Sequence, residues 1–176
     1  MIDRVYLLCE DQLHERFLRQ WLAHRKVKVV NAEVAPAGKN SASAFVRKQF
    51  LAFVVKAKSK AYQEKLGFIV VIDGDNLGVR RKLELQKQLN DAELMLAYEK
   101  RVVILVPSWS IDTWIDAICG ADAVESTKVT DQIKRSIDDE MIRRATLDFD
   151  SYRRALPAHL PAMLDAQFEL RKLDLA

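Results

Sequence analysis

The stretch Phe68-Ile69-Val70-Val71-Ile72-Asp73-Gly74-Asp75 decides the fold: five apolar residues in succession, then acid, glycine, acid. An unbroken apolar run of that length, closed by turn residues, is the pattern of a strand covered on both faces, hence of the middle of a parallel sheet between helices. Val5-Tyr6-Leu7-Leu8-Cys9 repeats the pattern near the start of the chain and is closed by Glu10. In an open parallel sheet the carboxyl ends of the strands face one crevice, so Glu10, Asp73 and Asp75 are expected to converge outside the sheet. The alternation in Asp-Gly-Asp is expected to point its two carboxylates the same way. Gathered carboxylates raise one another's pKa, and desolvation adds to the cost, so a divalent metal is the expected partner: Mg²⁺, with Mn²⁺ able to substitute.

Outward from these runs the chain reads as alternating strands and helices. A strand over residues 3 to 9 gives way to a helix beginning near Asp11, whose Leu13, Phe17, Leu18, Trp21 and Leu22 form one apolar stripe. Residues 27 to 35 alternate enough to predict a second, more exposed strand, suited to an edge. A loop at Pro36-Ala37-Gly38-Lys39-Asn40-Ser41 precedes a helix over 43 to 65. After the Asp-Gly-Asp turn the spacing predicts a helix over 80 to 98, then a fourth strand over Val102 to Val106 that ends at Pro107, with Ser110 as a helix cap. From 121 onward the pattern is helical and more polar, with a last helix near 161 to 173. The expected architecture is therefore α/β: a Rossmann-like, mainly parallel four-stranded sheet flanked by helices over 1–120, and a helical extension over 121–176 packed on the same domain.

A chain of 176 residues with 5 glycines and 4 prolines suits long helices and short buried strands rather than a turn-rich β protein or a disordered one. The net charge of +3 is modest, so any nucleic-acid role has to rest on local patches. Two cysteines without paired spacing, Cys9 and Cys119, build neither a disulfide framework nor a zinc site. No basic-then-apolar leader opens the sequence, and no apolar run approaches the roughly 18 residues that span a bilayer. A cytoplasmic protein is the expectation.

Each candidate residue has a plainer reading beside the functional one. Glu10 suits the N-terminus of the following helix through the helix dipole, and Asp73 and Asp75 suit turn chemistry. His14, one helical turn beyond Glu10, is either a supporting donor or metal ligand or an ordinary first-turn polar residue. Asp112 is either a fourth crevice acid or a complement to the dipole of its own helix. Lys39 lies in a loop at the carboxyl end of the second strand, where it suits phosphate binding. Arg80 and Arg81 follow the acidic turn directly and are the nearest basic residues to it. Along residues 39 to 65, Lys39, Arg47, Lys48, Lys56, Lys58, Lys60 and Lys65 stand against Glu64, a basic face suited to a phosphate backbone or to solvent. Trp109 and Trp114 suit either base stacking or the core. A serine nucleophile elbow and a phosphate-binding P-loop are both absent.

The chain resembles the Toprim domain, the catalytic module of topoisomerases, bacterial primases, small maturation ribonucleases and OLD-type nucleases. Leu7-Leu8-Cys9-Glu10 followed by a helix, and Val70-Val71-Ile72-Asp73-Gly74-Asp75 after a later strand, carry the resemblance, which covers about residues 3 to 119. The sequence is similar in particular to small stand-alone bacterial Toprim-like proteins, through the acidic first turn Cys9 to Glu15, the loop Ala35 to Lys39 and the segment Pro107 to Trp114. Asp11 replaces the glycine that usually follows the glutamate, and Asp112 stands where relatives tend to have a glutamate. The resemblance implies that Glu10 takes part in general acid/base chemistry while Asp73 and Asp75 hold Mg²⁺. Ile72-Asp73-Gly74-Asp75-Asn76-Leu77 is also similar to the opening turn of NYN-type ribonucleases, which place it after their first strand.

Three functions follow as expectations. The first is a Mg²⁺-dependent nuclease or phosphodiester-processing enzyme acting on DNA or RNA. The second is a non-catalytic binding or regulatory subunit beside an ATPase, docked through an amphipathic tail over Tyr152 to Ala176. The third is a small-molecule phosphohydrolase with Asp73 as nucleophile, for which Leu77 occupies the position of the usual threonine.

Overall fold

The structure is a computed structural model and describes residues 1–36, 42–60, 62–63, 65–95, 101–120, 127–128, 130–149 and 160–175. Its elements run β1 (Arg4–Cys9), α1 (Gln12–His24), β2 (Lys28–Val34), α2 (Ala42–Ser59), β3 (Leu66–Val71), α3 (Gly78–Asp91), β4 (Val102–Leu105), α4 (Ile111–Ile118), α5 (Asp131–Ser136), α6 (Asp139–Asp148) and α7 (Pro161–Arg171). The four strands form one sheet in the order β2-β1-β3-β4, with every pair parallel. The fold is α/β and Rossmann-like, as the strand and helix patterns predict.

Side chains alternate along the strands and divide the core in two. Val5, Leu7, Cys9, Ile69, Val71, Val103 and Leu105 face a layer built from α1, α4, α6 and α7, where Phe17, Trp21, Trp114, Phe149 and Met163 are buried. Leu8, Phe68, Val70, Ile72, Val102 and Ile104 face α2 and α3 through Phe50, Phe53, Val54, Leu85 and Leu89. β3 is buried at all six positions, which is why its sequence shows no alternation. The C-terminal helices share the first of these clusters with β1, and Ile2 bridges to Leu175. Trp114, fully buried in that cluster, is a core residue rather than a stacking platform.

β2 lies at the edge, as its mixed pattern predicts. Its pairing with β1 slips between Val5 and Tyr6, so that Val29 and Asn31 are partnered and Val30 bulges out, 44% exposed. A bulge with Lys28 and Glu33 nearby discourages a further strand from adding there. α2 ends at Ser59, six residues before its periodicity predicts, and β3 begins earlier, at Leu66. The chain reverses through a turn in which the Gln63 N–H donates to Lys60 O (2.9 Å) and the Leu66 N–H to Gln63 O (3.1 Å). Residues 37–41, Lys39 among them, Leu96, and Tyr152 to His159 lie outside the described residues. Among the described residues no helix is long and apolar enough to cross a membrane.

Candidate metal and phosphate site

β1 leads to its neighbour β2 on one side, while β3 leads to β4 on the other, so the order of the sheet reverses between β1 and β3. At such a switch point the loops after two adjacent strands part and leave a crevice at their carboxyl ends. Cys9 pairs with Val71 in register, which brings Glu10 level with the end of β3. There Glu10 Oε2 accepts a hydrogen bond from the Asp73 N–H at 2.8 Å, and the Glu10 N–H donates to Val71 O at 3.2 Å.

Asp73 is in turn held from α1. His14 is fully buried; its Nε2 lies 2.9 Å from Asp73 Oδ1, and its Nδ1 lies 2.8 Å from Asp11 Oδ1. The Nδ1 contact is close but poorly aligned for a hydrogen bond, while Asp11 Oδ1 accepts from the His14 N–H at 2.9 Å as the helix cap. Asp11 thus has two duties, closing the helix and flanking the imidazole.

The charges of this group are strongly coupled. Burial disfavours the charged form of His14, yet Asp73 and Asp11 on either side override it and hold the imidazole pKa well above its usual 6.5. Burial likewise opposes the Asp11 charge, but the close imidazole of His14, its charge and the His14 N–H bring that carboxyl down to about 2. Asp73 moves upward because burial outweighs His14. Glu10 is pushed up to about 7, first by desolvation and then by the charge of Asp73, with Asp75 adding a smaller push.

Asp75 behaves differently from the other two acids. Its φ is +49° and that of Asn76 is +64°, which breaks the alternation expected of Asp-Gly-Asp. The side chain is 58% exposed, with Oδ2 3.4 Å from Arg81 Nη2. The turn is tied to the loop after β4: the Gly74, Asp75 and Asn76 N–H groups donate to Pro107 O, Trp109 O and Ser108 O at 2.9, 3.4 and 2.7 Å. A Cβ on Gly74 would lie 2.3 Å from Pro107 O and 2.6 Å from Ser108 O, so only glycine permits this approach.

The structure separates the remaining candidates. Asp112 is buried at the start of α4 and contributes to the field at Asp73; its Oδ2 lies 4.0 Å from Lys134 Nζ of α5. Arg81 is 6% exposed and turned toward Asp75, whereas Arg80 points outward, 76% exposed, with Glu84 at 3.4 Å. On α2, Arg47, Lys48 and Lys58 are exposed, while Lys56 reaches Glu33 at 3.1 Å and lies over the Tyr6 ring. Two contributors escaped sequence reasoning, Asp11 as the flank of the imidazole and Lys134. Asp11 caps the helix three residues before His14, a legible signal. Lys134 has none, because its nearness to Asp112 depends on how α5 packs.

Among the described residues no three acid, histidine or cysteine side chains meet as a metal cage. Glu10 and Asp73 nevertheless fit a hard divalent ion: they supply oxygen donors, and Mg²⁺ is commonly held by one or two carboxylates with water completing its shell. A cation beside Glu10 also removes the repulsion that raises its carboxyl. Fold and site together define a Rossmann-like α/β protein with an acidic centre at the switch point of its sheet. No family model, curated protein or solved structure matches the chain.

Proposed function

We propose that this chain is a Mg²⁺-dependent, Toprim-like enzyme that processes phosphodiester bonds of nucleic acid, a nuclease in the simplest case. The observation that carries it is the pairing of Glu10 with the Asp73 turn at the switch point, with the Glu10 carboxyl pushed up to about 7. Before a cation binds, such a carboxyl exchanges protons near neutrality; a bound cation would hold it ionised. When bound at Glu10 and Asp73, the metal supplies charge stabilisation for the transferring phosphate and lowers the pKa of water. The chain's own contributions are to hold and to position. His14 fixes one Asp73 oxygen, so that the other is presented in one orientation. Glu10 gives Oε2 to the turn and keeps its second oxygen for the cation or for a proton. Arg81, and Lys134 beside Asp112, place positive charge around the acids where a phosphate approaches.

Thermal unfolding with and without Mg²⁺ or Mn²⁺, on wild type, Asp73→Ala and Asp73→Asn, tests the reading, followed by cleavage assays on single- and double-stranded DNA and RNA. Stabilisation by metal in the wild type is expected, by a few degrees, lost in both variants together with cleavage. Metal-independent stability, or cleavage unchanged by Asp73→Asn, overturns it.

The second reading, a binding subunit beside an ATPase, finds support in exposed apolar residues: Val79 and Leu83 on α3 and Phe168 on α7 are 79%, 58% and 54% exposed. Among the described residues of the tail over Tyr152 to Ala176, Met163, Ala166, Leu170 and Leu173 are buried in the chain's own core. Copurification of a partner protein with no metal response would favour that function.

A further inference from the structure

The Asp73–Asp75 turn carries two acids, and the two meet different neighbours. Asp73 meets His14 and Glu10. Asp75 meets Arg81, from the first turn of α3, a side chain 8% exposed. Helical side chains lean toward the helix N-terminus, which carries this guanidinium back onto the turn that precedes it. Its Nη2 lies 3.4 Å from Asp75 Oδ2, while Nη1 is buried without a hydrogen-bond partner.

A buried guanidinium with an unused nitrogen costs stability unless its charge serves something. The charge it meets is Asp75, and the backbone keeps Asp75 there. Two successive residues with positive φ, Asp75 and Asn76, are pinned by hydrogen bonds to Trp109 O and Ser108 O. Those bonds hold the Asp75 backbone in the conformation that sets its side chain beside Arg81. A divalent ion on Asp75 in its present place would sit close to the fixed positive charge of Arg81, whose side chain is buried although that of Asp75 is 58% exposed.

We propose that Arg81 is the built-in second cation of this site: its guanidinium neutralises Asp75, so that the centre takes one divalent ion, on Glu10 and Asp73, and not two shared among all three acids. The inference rests on the metal reading above and narrows it. Asp75 is then a partner of Arg81 and no metal ligand, and the second positive charge near a bound phosphate comes from an arginine fixed in the fold. A guanidinium is covalently held and stays charged, so the positive field at Asp75 is independent of metal concentration.

Isothermal titration of the protein with Mn²⁺ alone, repeated with Mg²⁺, tests this on wild type, Glu10→Gln, Asp73→Asn and Asp75→Asn. One ion per chain is expected, weakened by at least about 10-fold in Glu10→Gln and Asp73→Asn and by less than about 3-fold in Asp75→Asn, since only ligand carboxylates set the affinity. Asp75→Asn is the informative variant because its exposed side chain can change without disturbing the core. In Arg81→Gln, checked for folding by circular dichroism, the freed Asp75 is expected to bring a second, weaker ion or a tighter first one. Two ions on the wild type, or an Asp75→Asn loss equal to that of Asp73→Asn, overturns the single-ion centre while leaving a metal enzyme. No binding to the wild type at all removes the metal reading itself, and this inference with it.

Discussion

Glu10 shows how much of a site resides in one carboxyl group and its surroundings. Its pKa of about 7 in the fold, against an ordinary value of 4.5, means that the folded chain holds this proton more tightly than the unfolded chain. The stability that the protonated group contributes is complete below pH 4.5 and is lost as pH rises through 7. Glu10→Gln keeps an oxygen for the Asp73 N–H and removes the charge. Urea unfolding without metal is therefore expected to find the variant more stable than wild type at pH 8, by about 1–2 kcal/mol once solvent screening is allowed for, with the gap shrinking toward pH 5. Adding Mg²⁺ at pH 8 should narrow the gap as well, since the wild type alone gains a ligand. A gap that ignores pH would mean that Glu10 is not strained by its neighbours.

At the scale of elements, the decisive piece is the turn between β3 and α3, which is held less by its own sequence than by the carbonyls that follow β4. Gly74 is required by closeness, because the backbone of Pro107 and Ser108 occupies the space a side chain would need. Gly74→Ala is expected to cost about 2–3 kcal/mol, as overpacking against immovable groups does, and to weaken Mn²⁺ binding by displacing Asp73. Equilibrium denaturation and titration calorimetry read the two effects separately; a stable variant with normal metal affinity would show that the turn can shift freely. α3 is also tied to the C-terminal helix: Lys82 Nζ lies 2.6 Å from Asp165 and 3.1 Å from Glu169 of α7. The helix that carries Arg81 is thus braced from residues 83 and 87 positions further along the chain than Lys82.

At the scale of the whole molecule, the helices after residue 130 complete the core beneath β1. Met163, Ala166, Leu170 and Leu173 are buried with Val5, Leu7, Trp21 and Phe149. At about 1.5–3 kcal/mol for each large apolar side chain buried, their removal costs an amount comparable to the roughly 5–15 kcal/mol that stabilises an ordinary domain. A chain ending at residue 160 is expected to lose cooperative unfolding and to bind a hydrophobic dye, read by near-UV dichroism and dye fluorescence. A truncated chain that still unfolds in one sharp transition would show that the first 160 residues are self-sufficient.

The sequence by itself determined the sheet and where its acids lie along the chain. Apolar runs such as Val5–Cys9 and Phe68–Ile72 bury on both faces of a strand in any arrangement of the helices, so their meaning is local and legible, and Glu10 and Asp73 follow from where the runs end. The edge position of β2 was legible for the same reason, in its mixed pattern. What only the tertiary structure decided is direction and company: that Asp75 turns outward at positive φ toward Arg81 while Arg80 faces solvent, that His14 is buried between Asp11 and Asp73, and that Lys134 reaches Asp112. Those facts depend on backbone hydrogen bonds to Pro107, Ser108 and Trp109 and on helices packed from distant parts of the chain. No periodicity records them, because they are properties of contacts between segments and not of any one segment.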